Sequence, residues 1–166
     1  MRVGLTVARF AAAAWVGAAL LFVVTAVREV RNPGFDSTTK DALALLRFPA
    51  YYVFGFTLVT LALVAGLGSY CLRPRGGWRI CLAAGLLAMA LFVMGIDFVS
   101  VYRPMAAMIT PPGRAHPAEF RRYHRASVWL NVGHVGLCAL AALFLCWPEA
   151  RAGAEQADIA AAGGVE

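Results

Sequence analysis

The sequence predicts an all-α integral membrane protein: a four-helix up-down bundle with a short interfacial helix between its first and second spans. Three observations carry this. Of 166 residues, 61% are hydrophobic and 14% charged, whereas soluble domains carry about 25% charged residues. Four stretches, 10–27, 48–72, 80–102 (with one Asp) and 126–148, are nearly free of charge, and each is near the ~20 residues that cross a bilayer as a helix. These runs also lack the recurring polar face that every helix of a water-soluble bundle would show.

The first span is expected at about 8–28. Arg2 and Arg9 ahead of an apolar run resemble the start of a signal peptide. No small-x-small cleavage site follows, because Val24-Thr25-Ala26-Val27 leads directly into Arg28 and Glu29, so the helix is read as retained. Ala13 and Gly17, four apart, suit close helix–helix approach, and Trp15 reads as packing. Asn32-Pro33-Gly34 is a turn signal. Asp36-Ser37-Thr38-Thr39 offers helix-cap chemistry, and 37–47, with Leu43, Leu45 and Leu46, reads as a short helix lying in the interface.

Pro49 then opens the second span, about 49–71. Tyr51 and Tyr52 at its start and Tyr70 at its end match the aromatic belts of a membrane helix. Gly55, Gly66 and Gly68 are its close-packing positions. A tight, arginine-rich turn over 73–79 leads to the third span, about 79–102. The segment 103–122, with four prolines, reads as a long loop, and the fourth helix runs over about 118–147. Residues 1–148 thus form one transmembrane domain, and the Ala-, Gly- and acid-rich tail 149–166 is expected to be disordered.

The net charge of +6 is not a nucleic-acid signal. Arginine clusters in a membrane chain anchor helix ends and set orientation, and no stretch interleaves basic and aromatic residues. No nucleic-acid partner is expected. The four cysteines, Cys71, Cys81, Cys138 and Cys146, show no C-x-x-C spacing, so a zinc site or thioredoxin-like pair is unsupported and the thiols read as packing residues. No metal site or cofactor is expected. A bis-histidine haem needs ligands from facing helices, and the first three spans contain no His.

The fourth helix carries the chemistry. His124, Ser127, Asn131, His134 and Cys138 stand at offsets 0, 3, 7, 10 and 14, which places them within an arc of roughly 80° on an α-helix. A polar stripe on an oily helix must face something other than lipid. An up-down bundle brings this helix start to the same end as Arg47, Tyr51, Tyr52 and Asp97. Asp97 is the only acid inside any span. A charge at the membrane centre costs roughly 2.5–3.5 kcal/mol, so Asp97 should face the bundle and take a partner, with His124, Ser127, Asn131, Arg47 and Arg103 in reach. It ties the third helix to the fourth, belongs to a binding or proton-handling site, or snorkels to the interface. His134, deeper in the span, reads as neutral and bonded to a carbonyl or hydroxyl, and His116 as solvated. One metal ion cannot bridge His124 and His134, ten residues and some 15 Å apart along the axis.

Orientation signals conflict. Loops 28–47 and 103–125 hold nine basic residues and the opposite side six, yet the shortest loop is the densest in Arg. That density and the thiols at the same end favour both termini on the cytoplasmic side, in a membrane of bacterial cytoplasmic type.

Phe120-x-x-x-His124-x-x-Ser127-x-x-x-Asn131, with Arg47-Phe48-Pro49-Ala50-Tyr51-Tyr52 and Pro104, resembles the transmembrane protein 205-like family, small four-helix membrane proteins, over most of 8–147. Arg125 departs from it, standing where that family often has Gly, and the loop 104–117 is long for it. The resemblance implies the four-helix fold and no settled activity. The expected function is non-enzymatic. A polar pocket of Asp97, His124, Ser127, Asn131, Arg47 and Tyr51 would take a small solute, or the chain would be an accessory subunit of a larger membrane complex or a homo-oligomer in the bilayer. The alternative is a membrane enzyme or a proton- or metal-handling protein, with His124 as base and Asp97 as its orienting carboxylate. An open pocket would favour solute or catalysis. A stripe sealed within the bundle, beside an apolar flank, would favour the accessory subunit.

Overall fold

The computed structural model describes residues 2–71 and 77–147. The expected tail 149–166 and most of the 73–79 turn lie outside these residues. Within them the chain is helical: α1 Arg2–Arg31, α2 Ser37–Cys71, α3 Trp78–Ile96, a π-helical turn Asp97–Tyr102, α4 Arg103–Met108 and α5 Phe120–Cys146. Four rods, Val3–Arg31, Ser37–Cys71, Trp78–Met108 and Phe120–Cys146, are long and apolar enough to cross a membrane. The protein is a four-helix membrane bundle.

The rods form a ring in the order α1, α2, α3, α5. Contacts fix the up-down course. Trp15 meets Gly55 and Phe22 meets Phe48 across α1 and α2. Tyr52 meets Asp97 on the third rod, Trp78 meets Phe144 on α5, and Arg9 Nε donates to the Leu145 carbonyl at 2.6 Å. The start of α1 and the end of α5 therefore share one side. Arg9 is half-buried and ties down the last turn of α5 instead of reaching for headgroups.

Residue sizes explain the close packing. The inner seam of α1 is Ala8, Ala11, Ala12, Trp15 and Ala19, and small residues from the other rods (Ala62, Ala83, Ala90, Ala141) complete the core. With little apolar driving force between helices in lipid, small residues that let backbones approach are what hold such a seam. A Cβ on Gly55 would stand 2.5 Å from the Trp15 ring, so the indole occupies the space that this glycine leaves. Large apolar residues face outward instead, Phe10 at 73% exposure and Trp129 at 70%, while Asp97 and His134 are at 0%. That inverted distribution suits lipid and not water.

Several boundaries differ from the sequence expectation. The segment 37–47 is helical as expected, but it continues through Pro49 into the span as one 35-residue helix. Asp36 caps it, its carboxylate accepting the Thr39 N–H at 2.8 Å. Pro49 costs the Leu45 carbonyl its usual partner without ending the helix. Likewise 103–108 is helix and not loop. Pro104 has no N–H to give, and its ring would crowd the carbonyl four residues back. The wide turn just before it, in which the Arg103 N–H reaches the Phe98 carbonyl, makes room and lets the helix continue. Ala13 and Gly17 lie on the exposed face of α1, away from the helix seams, and a Cβ on Gly68 would meet nothing within 4 Å.

Candidate functional site: a buried polar cluster

The π-helical turn begins at Asp97, which points inward between α2 and α5. Its Oδ2 accepts three hydrogen bonds: from Tyr52 Oη at 2.7 Å, from Asn131 Nδ2 at 2.7 Å and from Ser127 Oγ at 3.4 Å. Asn131 extends the cluster across the bundle. Its Oδ1 accepts from Tyr51 Oη at 2.8 Å and lies 3.2 Å from His134 Nε2. Because the Asn131 amide nitrogen is committed to Asp97, this oxygen can only accept, so His134 Nε2 carries the proton. The sequence expectation of a bonded His134 holds, with a side-chain amide in place of a backbone carbonyl or hydroxyl.

Rings surround the polar atoms. Tyr51 packs against Trp15 at 4.9 Å and Phe22 at 4.4 Å between centroids, and Trp15 stacks on His134 at 6.0 Å. Tyr52 packs against Phe98 and Tyr102, each at 5.0 Å. Three buried polar atoms here, Asp97 Oδ1, His134 Nδ1 and Trp15 Nε1, have no protein partner.

The expected site residues divide. Asp97, Ser127, Asn131 and Tyr51 are brought together. Arg47 stands apart, at the α1–α2 joint: its Nη1 donates to Glu29 Oε1 at 2.7 Å, its Nη2 lies 2.5 Å from Oε2, and its guanidinium sits over the Phe22 ring. His124 faces outward, exposed, with its ring stacked on Phe120 at 6.2 Å. No hydrogen bond joins His124 to Asp97, so the base–carboxylate pair of the enzymatic alternative is not formed in this structure. Among the described residues no three His, Cys, Asp or Glu side chains are grouped to hold a metal ion.

Tyr52 stood among the residues at this end but not among the expected site residues. The adjacent pair Tyr51-Tyr52 was its signal, because residues 100° apart on a helix set between two neighbours can both face inward.

A second polar contact was not expected at all. Asp41, buried near the start of α2, accepts from the Gly113 N–H at 3.1 Å, and His116 Nε2 lies 3.1 Å from both of its oxygens. His116 is therefore paired and not simply solvated, and the loop after α4 is pinned onto α2. Gly113 permits this through a positive φ of 84°, with Thr38 packed where a side chain would otherwise stand.

Clefts at this end are shallow and open. One of about 560 Å³ is lined by Ala118, Arg121, Arg122, Arg125, Ala126 and Trp129, one of about 320 Å³ by Phe120, Arg121, His124, Arg125 and Val128, and one of about 340 Å³ by Val101, Glu119, Arg122, Tyr123 and Ala126. None of the three includes Asp97 or its partners. The thiols Cys71, Cys81 and Cys146 are free and exposed at the opposite end, and Cys138 is buried.

No family model, no curated protein and no solved structure matches this chain. The resemblance to the transmembrane protein 205-like family therefore rests on the quoted residues alone.

Proposed function

We propose that this integral membrane protein is non-enzymatic and acts as an accessory subunit of a membrane complex, its polar cluster serving as an internal lock. The observation that carries the reading is the burial of Asp97 among Tyr52, Ser127 and Asn131, away from the linings of the three clefts described above. A solute site or catalytic carboxylate needs a path for its ligand. A lock needs the reverse: helices joined through buried polar side chains. Three rods meet at Asp97, and Tyr51 to Asn131 spans the ring diagonal. Around this centre the surface is apolar on every rod, and lipid or a partner helix can cover it.

Carbodiimide modification in intact membranes tests the lock. Asp97 stays unmodified, while the exposed Glu119 reacts with a water-soluble reagent. Modification of Asp97 by a lipid-soluble carbodiimide would sink the sealed interior and favour proton handling at that carboxyl. Particle size in mild detergent tests the subunit reading. A mass of one chain in every mild detergent would contradict it.

A further inference from the structure

The outward face of α5 carries a second polar arrangement, unlike the first in every respect. Arg121, Arg122 and Arg125 are exposed and line the cleft of about 560 Å³ with Trp129. Relative to Ala118 these four residues fall within about 100° of arc on one helix. None of the three guanidinium groups forms an ion pair with an acid among the described residues, in contrast to Arg47 with Glu29. Glu119 lines the neighbouring cleft beside Arg122 and Tyr123. Three like charges on one turn repel one another and attract an anion. A guanidinium is a planar fork that fits two phosphate oxygens at once.

Depth along the helix indicates what that anion is attached to. Trp129 follows Arg125 by four residues, about 6 Å along the axis. That is close to the thickness of one headgroup layer, about 5–7 Å on each side of the hydrocarbon. The arginines would stand at phosphate level when Trp129 stands at the top of the acyl chains, with the exposed Val128 and Val132 next to it. A free phosphate would have no use for the indole.

We propose that the Arg121–Arg122–Arg125 cleft binds the phosphate of an anionic phospholipid, with its acyl chains lying along Trp129. The site is independent of the internal lock, and either can fail alone.

The test is lipid retention by the full-length protein in neutral detergent, read by native mass spectrometry. Phosphatidylglycerol and phosphatidylcholine with identical chains are the probes. Phosphatidylglycerol is retained over phosphatidylcholine, and R121Q/R122Q/R125Q lowers that retention about a hundredfold, given the attraction of each basic residue to an anionic surface. The control R28Q/R31Q, at the same end of the bundle, leaves it unchanged. W129L weakens phosphatidylglycerol retention, and inorganic phosphate does not displace the lipid. Each of three results would overturn the proposal: undiminished retention in the triple variant, an equal loss in R28Q/R31Q, or displacement by inorganic phosphate alone. R125Q by itself, with an intermediate loss expected, keeps the test decisive if the triple variant does not fold.

Discussion

The two faces of α5 differ in kind. The inward face holds Ser127, Asn131, His134 and Cys138, all buried except the half-buried Asn131, and the polar groups are joined to Asp97, Tyr51 and Tyr52. The outward face holds Arg121, Arg122 and Arg125, exposed and without an acid partner among the described residues. Inward polarity is short, neutral or singly acidic, and reaches other helices. Outward polarity is long, cationic and exposed. Polarity on a membrane helix therefore has two meanings, separated by side-chain length and by which neighbours stand opposite. Removing an inward group should strand its partners, while removing an outward group should leave the fold intact.

The largest loss is expected for Asp97→Ala, which strands three donors inside the bundle and should cost about 2–3 kcal/mol in detergent unfolding. Asp97→Asn keeps an acceptor and should lose less. Gly55→Ala drives a methyl group into the Trp15 ring and should cost about 2 kcal/mol, because a fully buried indole has nowhere to move. Tyr52→Phe removes one donor and keeps the ring contacts, so a loss of about 1 kcal/mol is expected. His124→Ala, on the outward side, should shift stability by less than about 0.5 kcal/mol. A large fall there would erase the contrast between the faces.

The smallest effect is at the α2 cap. Hydrogen bonds from Thr39, from its side chain and then its backbone, hold the Asp36 carboxyl below the ordinary carboxylate range. A depressed value in the folded chain stabilises above the unfolded value of about 3.9, and that contribution disappears as pH falls through the lower folded value. A helicity titration below about pH 4 should show a small acid step in the wild type and none in Asp36→Ala.

Hydropathy made the four rods legible, because each rod needs a long uncharged run and the chain has four. It could not place their ends where proline intervened. Pro49 and Pro104 both read as boundaries, and both sit inside continuous helix. The wide turn that accommodates Pro104 is a backbone adjustment with no residue signature of its own. Asp97, Ser127, Asn131 and Tyr51 were legible as a group from helical spacing and the shared end of an up-down bundle. His124 falls in the same arc, yet it lies a turn above Ser127, beyond the packed neighbours, and turns outward onto Phe120. Periodicity gives the angle around a helix and not the depth at which neighbouring helices cover it. The Asp41–His116 contact joins residues 75 apart through a loop whose path no local pattern fixes.

The most direct test of a single connected interior is a double-mutant cycle between Tyr51→Phe and Asp97→Asn, measured by unfolding in detergent. These two side chains share no hydrogen bond; Asn131 bonds to both, and Tyr52, packed against the Tyr51 ring, bonds to Asp97. A lock that acts as one unit gives a coupling energy above about 0.5 kcal/mol. Losses that simply add, within about 0.3 kcal/mol, would mean that the polar residues are separate contacts and that the cluster is not a lock.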